Sequence, residues 1–338
     1  MKFYKTENTM LHIDYHEIAN NAKKIKSKCK TPLCAVIKND AYGHGAVRTV
    51  SVLDGIADCY AVATVAEAVE VAPYTQSDIA VLTPVYSVDE LCLVSKHNLV
   101  LTICNEESLR AAVGCVLPIR CQIKVDSGMS RLGFRREDLL AVCEAIKSCR
   151  SLQPIGVFSH LWGERKNDVS RQLAYFNQCA DLCMQALGKR LCIHIANTNA
   201  AINLPQTRLD MVRVGLGLYG YCDDDLVPAK TVTAPVIAVR RVKRYDVLGY
   251  GGKNRAKRDE FVAVVQSGYA NGLARTLVGG TVLVGKNHAN IGGVCMGMTL
   301  LETGDYLPHV GESATLLGKG VNPSNLHTIV YELLCNLR

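Results

Sequence analysis

The stretch Leu33-Cys34-Ala35-Val36-Ile37-Lys38, continuing into Asn39-Asp40-Ala41-Tyr42-Gly43-His44-Gly45, reads as a buried strand that delivers a lysine into a glycine-bracketed turn. An ammonium among apolar neighbours loses hydration that they cannot replace. A lysine at the end of such a strand is therefore either paired or chemically used. The plainer alternative is a lysine that snorkels to solvent at the strand end. The chemical one is covalent attachment of an aldehyde cofactor as a Schiff base, a reaction that a desolvated lysine of lowered pKa can undertake.

Outward from this segment the chain keeps a regular rhythm. Apolar runs suited to buried strands fall at 33–38, 60–64, 79–83, 99–104, 119–125, 155–160, 191–196 and 211–218. Stretches of helical period lie between them, at 65–72, 88–96, 106–113, 136–147 and 168–187. Asn105 before Glu106 predicts a helix cap with acidic residues in the first turn. Near-continuous apolar strands that alternate with helices predict parallel strands covered on both faces. Eight repeats over about 220 residues match the size of a (β/α)8 TIM-type barrel, with a doubly wound open sheet as the alternative. The polar run Tyr221-Cys222-Asp223-Asp224-Asp225 predicts a boundary, giving domains 1–225 and 226–338. Beyond it, β-branched segments at 231–242, 260–266, 281–284 and 314–317 are spaced by Gly- and Asn-rich turns, so the C-terminal domain reads as mostly β.

Composition narrows the function classes. The 338 residues carry 49% hydrophobic and 20% charged side chains, which describes a globular chain. The net charge of +7 is spread along the sequence, which suits small anionic ligands better than a nucleic-acid duplex. No apolar run is long enough for a membrane span, and Met1–Glu7 lacks a signal-peptide core. Fifteen cysteines, an odd number without a Cys-x-x-Cys, sit mostly in apolar segments and read as small hydrophobes. A reduced, cytoplasmic chain without a metal site is expected.

A β/α barrel places its active site at the C-terminal ends of the strands. Polar residues gather where these strands stop: Lys38; Lys124 with Arg131 in the loop after it; Ser159-His160; His194 with Asn197-Thr198; and Arg213 before Gly215. Any one could be a satisfied structural group. Five strand ends carrying such groups toward one mouth predict a site.

On these residues the chain resembles the alanine racemases. Ala35-Val36-Ile37-Lys38-Asn39-Asp40-Ala41-Tyr42-Gly43-His44-Gly45 is similar to that family's pyridoxal-phosphate attachment motif. Lys124-Val125-Asp126-Ser127-Gly128-Met129-Ser130-Arg131-Leu132-Gly133, His194-Ile195-Ala196-Asn197-Thr198 and Met211-Val212-Arg213-Val214-Gly215 follow in the family's order. So do Ser267-Gly268-Tyr269-Ala270-Asn271-Gly272, Val294-Cys295-Met296 and Tyr331-Glu332, so the resemblance spans nearly the whole chain. It implies a barrel followed by a β domain, and a pyridoxal 5′-phosphate enzyme that interconverts L- and D-alanine, the D-isomer being of the kind built into cell walls.

The resemblance also implies roles. Lys38 holds the cofactor and then serves as one proton-transfer base. Tyr269 is the second base and reaches the barrel of a partner subunit, so a head-to-tail homodimer with shared sites is expected. His160, Arg213 and His194 form a relay. Arg213 donates to the cofactor's pyridine nitrogen; a guanidinium only donates, so that nitrogen stays unprotonated and the carbanion short-lived. A related decarboxylase is disfavoured on the same ground. Tyr42, Thr198, Tyr331 and the N–H groups of Gly215 and Leu216 anchor the phosphate, with Asn197 beside them. Arg131 and the Met296 N–H bind the substrate carboxylate, and Lys124 is a carbamylation candidate. Three positions depart from the family pattern: Gly297 stands where Asp is usual, Asn271 replaces an Asp, and Thr198 replaces a Ser. Gly297 keeps open a serine or broad-specificity racemase. A cofactor-binding protein without racemase activity is a further alternative, and it would have no need of Tyr269.

Overall fold

A computed structural model describes residues 9–337 in two compact units, one of residues 15–41 and 45–226, the other of residues 9–14, 42–44 and 227–337. The segment Met1–Glu7 lies outside the described residues. In chain order the strands are Met10–Ile13 (β1), Leu33–Val36 (β2), Cys59–Val62 (β3), Asp78–Val81 (β4), Val100–Ile103 (β5), Ile119–Lys124 (β6), Leu152–Phe158 (β7), Cys192–His194 (β8) and Val212–Val214 (β9). Then come Lys230–Val242 (β10), Glu260–Val265 (β11), Thr281–Val284 (β12), Asn287–Val294 (β13), Thr299–Gly304 (β14) and Ser313–Leu317 (β15). The helices are Tyr15–Cys29 (α1), Lys38–Gly43 (α2), Ala46–Leu53 (α3), Val65–Val71 (α4), Val88–Lys96 (α5), Glu106–Val113 (α6), Leu139–Ser148 (α7), Lys166–Leu187 (α8), Thr198–Asn203 (α9) and Val330–Asn336 (α10).

In the first unit, eight parallel strands run in the order β8-β7-β6-β5-β4-β3-β2-β9, with β2 paired to both β3 and β9. The seam between β8 and β9 carries two backbone bonds, from the Asp210 N–H to the Ile193 carbonyl (3.1 Å) and from the Arg213 N–H to the Ala196 carbonyl (3.0 Å). The sheet is therefore a near-closed barrel, and the expected barrel rather than the open sheet is what forms. Its strands are short and mostly buried, β2, β5 and β6 almost throughout, because helices cover them outside and side chains fill them inside. The predicted cap is present: the Asn105 side chain accepts from the Ser108 N–H at 2.9 Å. One predicted strand divides, since 211–218 is β9 followed by a 3-10 turn at Leu216–Tyr219. No helix among the described residues is long and apolar enough to cross a membrane.

The other unit is an antiparallel sheet in the order β1-β10-β11-β14-β13-β12-β15. Its 13-residue strand β10 also pairs with β15, which curls the sheet back on itself. The N-terminal strand β1 belongs here, with Ile13 opposite Lys230. Helix α10 closes the unit and buries Leu333 and Leu334.

Candidate active site

Lys38 opens α2 directly after the buried residues of β2 and Ile37. The turn is left-handed: Asn39, Asp40, Ala41 and Tyr42 have φ of 53°, 52°, 53° and 55°. L-residues resist this conformation by about 1–2 kcal/mol each, with Asn and Asp the most tolerant apart from glycine. Local bonds hold it. The Asn39 N–H donates to the Glu67 carboxylate (2.6 Å), and the Asp40 carboxylate accepts from the Ala46 N–H (2.7 Å). Strain fixed by its surroundings in this way is a recurrent feature of functional sites.

Arg213 on β9 is 6% exposed and sits at the centre of a buried network. One terminal nitrogen donates to His194 Nδ1 (2.8 Å) and to the His194 carbonyl (3.2 Å). The other donates to the Ser159 carbonyl (2.6 Å), with His160 Nδ1 and the Ile195 carbonyl each at 3.4 Å. His194 Nε2 faces the Gln122 side-chain oxygen (3.2 Å), and the Gln122 amide donates to Thr102 Oγ1 (3.2 Å). An amide oxygen only accepts, so Nε2 carries the proton and Nδ1 accepts from the guanidinium. His194 is thus neutral. Burial and then Arg213 hold its pKa well below the usual imidazole range. Burial, followed by Arg213, Arg131, Lys124 and Lys38, lowers His160 to about 3. Burial brings Arg213 down to about 10, so it remains a cation at neutral pH. The Phe158 ring stacks on His194 at 5.2 Å, while Arg213 lies 5.2 Å and Lys124 5.4 Å from its centroid.

Lys124 at the end of β6 is 6% exposed, and burial, Arg131 and Arg213 lower its pKa to about 8. The loop after it is built around Asp126, whose carboxylate accepts from the Gly128 (2.9 Å) and Ser130 (3.1 Å) N–H groups. Gly133 ends the loop at φ +122°, where a Cβ would stand 2.5 Å from the Asp126 nitrogen, so the chain can pass there only as glycine. Thr198 opens α9 with Asn197 as its cap, the Asn197 side chain accepting from the Ala200 N–H at 3.1 Å. Thr198 Oγ1 accepts from the N–H groups of Gly215 (3.2 Å) and Gly217 (3.3 Å), which brings the segment after β8 against the Leu216 turn after β9.

The barrel unit therefore brings Lys38, Lys124, Arg131, His160, His194 and Arg213 into one electrostatically coupled group. Four of these are basic side chains, which favours an anionic ligand. The Nε–H of Arg213 is the one guanidinium donor position given no protein acceptor among the described residues. A planar heterocycle with an unprotonated ring nitrogen, an aldehyde within reach of a lysine and an anionic phosphate satisfies this donor set, and pyridoxal 5′-phosphate has that chemistry.

The β unit holds the remaining predicted residues. Tyr269 lies in a turn clamped to the Met296 loop, with its N–H on the Cys295 carbonyl (3.0 Å) and the Ala270 N–H on the Met296 carbonyl (2.9 Å). Asn271 closes that turn by accepting from the Gly268 N–H at 3.1 Å. An amide oxygen serves this acceptor role as a carboxylate would, so the departure at Asn271 leaves the turn intact. Tyr269 and Met296 are 45% and 62% exposed. Tyr331 on α10 faces Tyr42, their ring centroids 5.8 Å apart. At Gly297 an added Cβ would meet nothing within 4 Å.

Ser159, one of the polar strand-end residues, joins the Arg213 network through its carbonyl, and Gln122 and Phe158, not singled out from sequence, complete it. A glutamine two residues before Lys124, and so on the same face of the strand, is the signal that points to the first of these two.

Comparison with known proteins follows the same outline. Residues 13–223 match the family model described as Alanine racemase, N-terminal domain, and residues 229–338 the one described as Alanine racemase, C-terminal domain. The alanine racemase of Chlorobaculum tepidum is 31% identical across 90% of this chain and 87% of its own length. That of Pseudomonas fluorescens is 30% identical across 96% of each. The crystal structure of biosynthetic alanine racemase from Pseudomonas aeruginosa is similar with a TM-score of 0.89 at 30% identity, covering 98% of this chain and 97% of that one.

Proposed function

The chain belongs to the alanine racemase family, and from that premise we propose that it is an isomerase that interconverts L- and D-alanine with pyridoxal 5′-phosphate. The observation that carries this reading is the fully charged Arg213 flanked by two neutral histidines, amid the basic side chains of Lys38, Lys124 and Arg131. Bound pyridoxal 5′-phosphate supplies an electron-withdrawing ring that acidifies the substrate Cα–H. Lys38 is the residue that tethers it, and Tyr42, Thr198, Tyr331 and the N–H groups of Gly215 and Leu216 are the proposed phosphate ligands, beside Asn197; the Gly215 N–H, which donates to Thr198 Oγ1 here, would exchange that acceptor for the phosphate.

Proton transfer is the work of two side chains. Lys38 Nζ takes or gives a proton at one face of Cα, and the phenol oxygen of Tyr269 of the partner subunit does so at the other. Arg213 would donate to the ring nitrogen of the bound coenzyme; its pKa of about 10 keeps the guanidinium protonated, and His194 Nδ1 and the Ser159 carbonyl hold its terminal nitrogens in place. With Arg213 there, the ring nitrogen would stay unprotonated and the ring would withdraw less electron density from Cα, which would favour reprotonation there over side reactions. Arg131 and the Met296 N–H orient the substrate carboxylate. Lys124, with a pKa near 8, keeps a neutral amine fraction that can add CO2 and release a proton, giving a carbamate beside Arg131. A head-to-tail homodimer accords with the exposure of Tyr269, Met296 and Met298 on the β unit.

The direct test is to supply the protein with the coenzyme, follow L- to D-alanine conversion, and map the borohydride-reduced adduct by mass spectrometry. Conversion with the adduct on Lys38 is expected; absent conversion, or an adduct elsewhere, refutes the reading. Broader specificity has one observation in its favour, the open space at Gly297. L-serine turnover equal to or above that of L-alanine would reassign the substrate.

A further inference from the structure

Lys230, the first residue of β10, is fully buried. Its backbone is held by sheet register opposite Ile13, so the side chain starts from a fixed point. The ammonium donates to the Leu334 carbonyl at 2.7 Å and to the Gly43 carbonyl at 3.2 Å. These two acceptors belong to segments 104 and 187 residues away in sequence. One is in the last turn of α10, where aligned peptide dipoles present their negative end. The other closes the left-handed turn that follows Lys38.

Both segments carry an aromatic ring of the site just before the tethered carbonyl. Tyr331 stands one turn ahead of Leu334 on α10, and Tyr42 immediately precedes Gly43. The two rings meet at 5.8 Å with a 42° tilt. The approach is close enough to dictate sequence. Gly43 has φ +73°, and a Cβ there would stand 2.8 Å from the Leu334 oxygen and 3.1 Å from Lys230 Nζ. A buried ammonium is costly, and its burial here has a geometric consequence: one cation gathers two carbonyls that chain connectivity leaves independent.

We propose that Lys230 is a positioning residue for the phosphate end of the coenzyme site, its buried ammonium holding Tyr331 against Tyr42 by bridging the Leu334 and Gly43 carbonyls. This rests on the reading that Tyr42 and Tyr331 are phosphate ligands. Lys230 touches neither coenzyme nor substrate in this role and acts only through the two tyrosines.

The test uses full-length protein with Lys230→Met, which keeps the length of the side chain and removes the donors, and with Gly43→Ala, which leaves the ammonium but blocks the approach. Binding is measured for pyridoxal 5′-phosphate and for pyridoxal, which lacks the phosphate, alongside hydrogen exchange of the coenzyme-free protein. Both variants should weaken pyridoxal 5′-phosphate binding by about 10-fold or more while changing pyridoxal little. Exchange should rise in Val330–Asn336 and stay unchanged in β11 and β14. Equal losses for both ligands, or exchange raised across the whole sheet, would make Lys230 a support of the fold alone and overturn the proposal. Unchanged binding and exchange would overturn it too. If the wild-type protein binds neither ligand, the coenzyme reading itself fails, and the exchange result alone decides whether Lys230 holds α10.

Discussion

In the proposed mechanism, Arg213 is the residue that selects among reactions. Its terminal nitrogens are committed to His194, Ser159 and His160, so the guanidinium cannot turn to another partner without breaking buried bonds. Arg213→Gln is expected to lower kcat for racemisation by about 10²–10³, the range seen when a preorganised donor is removed; steady-state rates in both directions check this. Arg213→Glu should in addition release pyruvate from alanine, with the amino group passing to the coenzyme and converting it to pyridoxamine phosphate, because an acid there can protonate the ring nitrogen. His160 gives a pH signature. Its folded pKa of about 3 lies below the ordinary 6.5, so between those values the unfolded chain binds the proton and the native one does not. Stability contributed by this residue is therefore present above pH 6.5 and is lost as pH falls toward about 3. Denaturant titrations of wild type and His160→Gln should show the wild-type protein losing stability relative to the variant between about pH 7 and pH 4; a gap that does not change with pH contradicts the assignment.

At the scale of elements, the turn after Lys38 is where local preference and tertiary structure meet. Asn39 and Asp40 suit the left-handed region, whereas Ala41 and Tyr42 are held there by context. Asn39→Ala should destabilise the protein by about 1 kcal/mol while Asn39→Gly should not, as read by urea unfolding. This element also shows what the sequence makes legible. The strand, the lysine and the glycine-bracketed turn are readable from apolar run and glycine placement; the handedness is not, because it depends on Glu67 and Ala46 closing the turn from elsewhere. The helices at 88–96 and 106–113 were readable to the residue, since each has a polar cap before a clear stripe. Strand β13, Asn287-His288-Ala289-Asn290-Ile291-Gly292-Gly293-Val294, was not. Asn and Gly are poor strand formers, and only pairing with β12 and β14 makes this segment extended. Helix α1 is hard to read in the sequence because its buried stripe of Ile18, Ala22, Ile25 and Cys29 is narrow among charged neighbours.

For the whole molecule, the alternation of eight apolar strands with helices is legible in the sequence, but that pattern fits an open sheet as well as a barrel, and the family resemblance is what points to the barrel; the strand ends supply Lys38, Lys124, His160, His194 and Arg213. The Gln122 link was harder to read, since its importance lies in a contact with a residue 72 positions away. The proposed sharing of Tyr269 between subunits is a property of the assembly. Mixing Lys38→Ala and Tyr269→Phe homodimers under conditions that exchange subunits should restore up to about one quarter of wild-type activity, because each mixed dimer regains one complete site; no recovery means that Tyr269 acts within its own subunit. The central claim is that two different bases serve the two faces of Cα. It is tested most directly by incubating Tyr269→Phe with each alanine enantiomer in D2O and following α-deuterium incorporation. Exchange confined to one enantiomer, with no inversion, is the predicted result; equal exchange of both enantiomers, or undiminished racemisation, would contradict it.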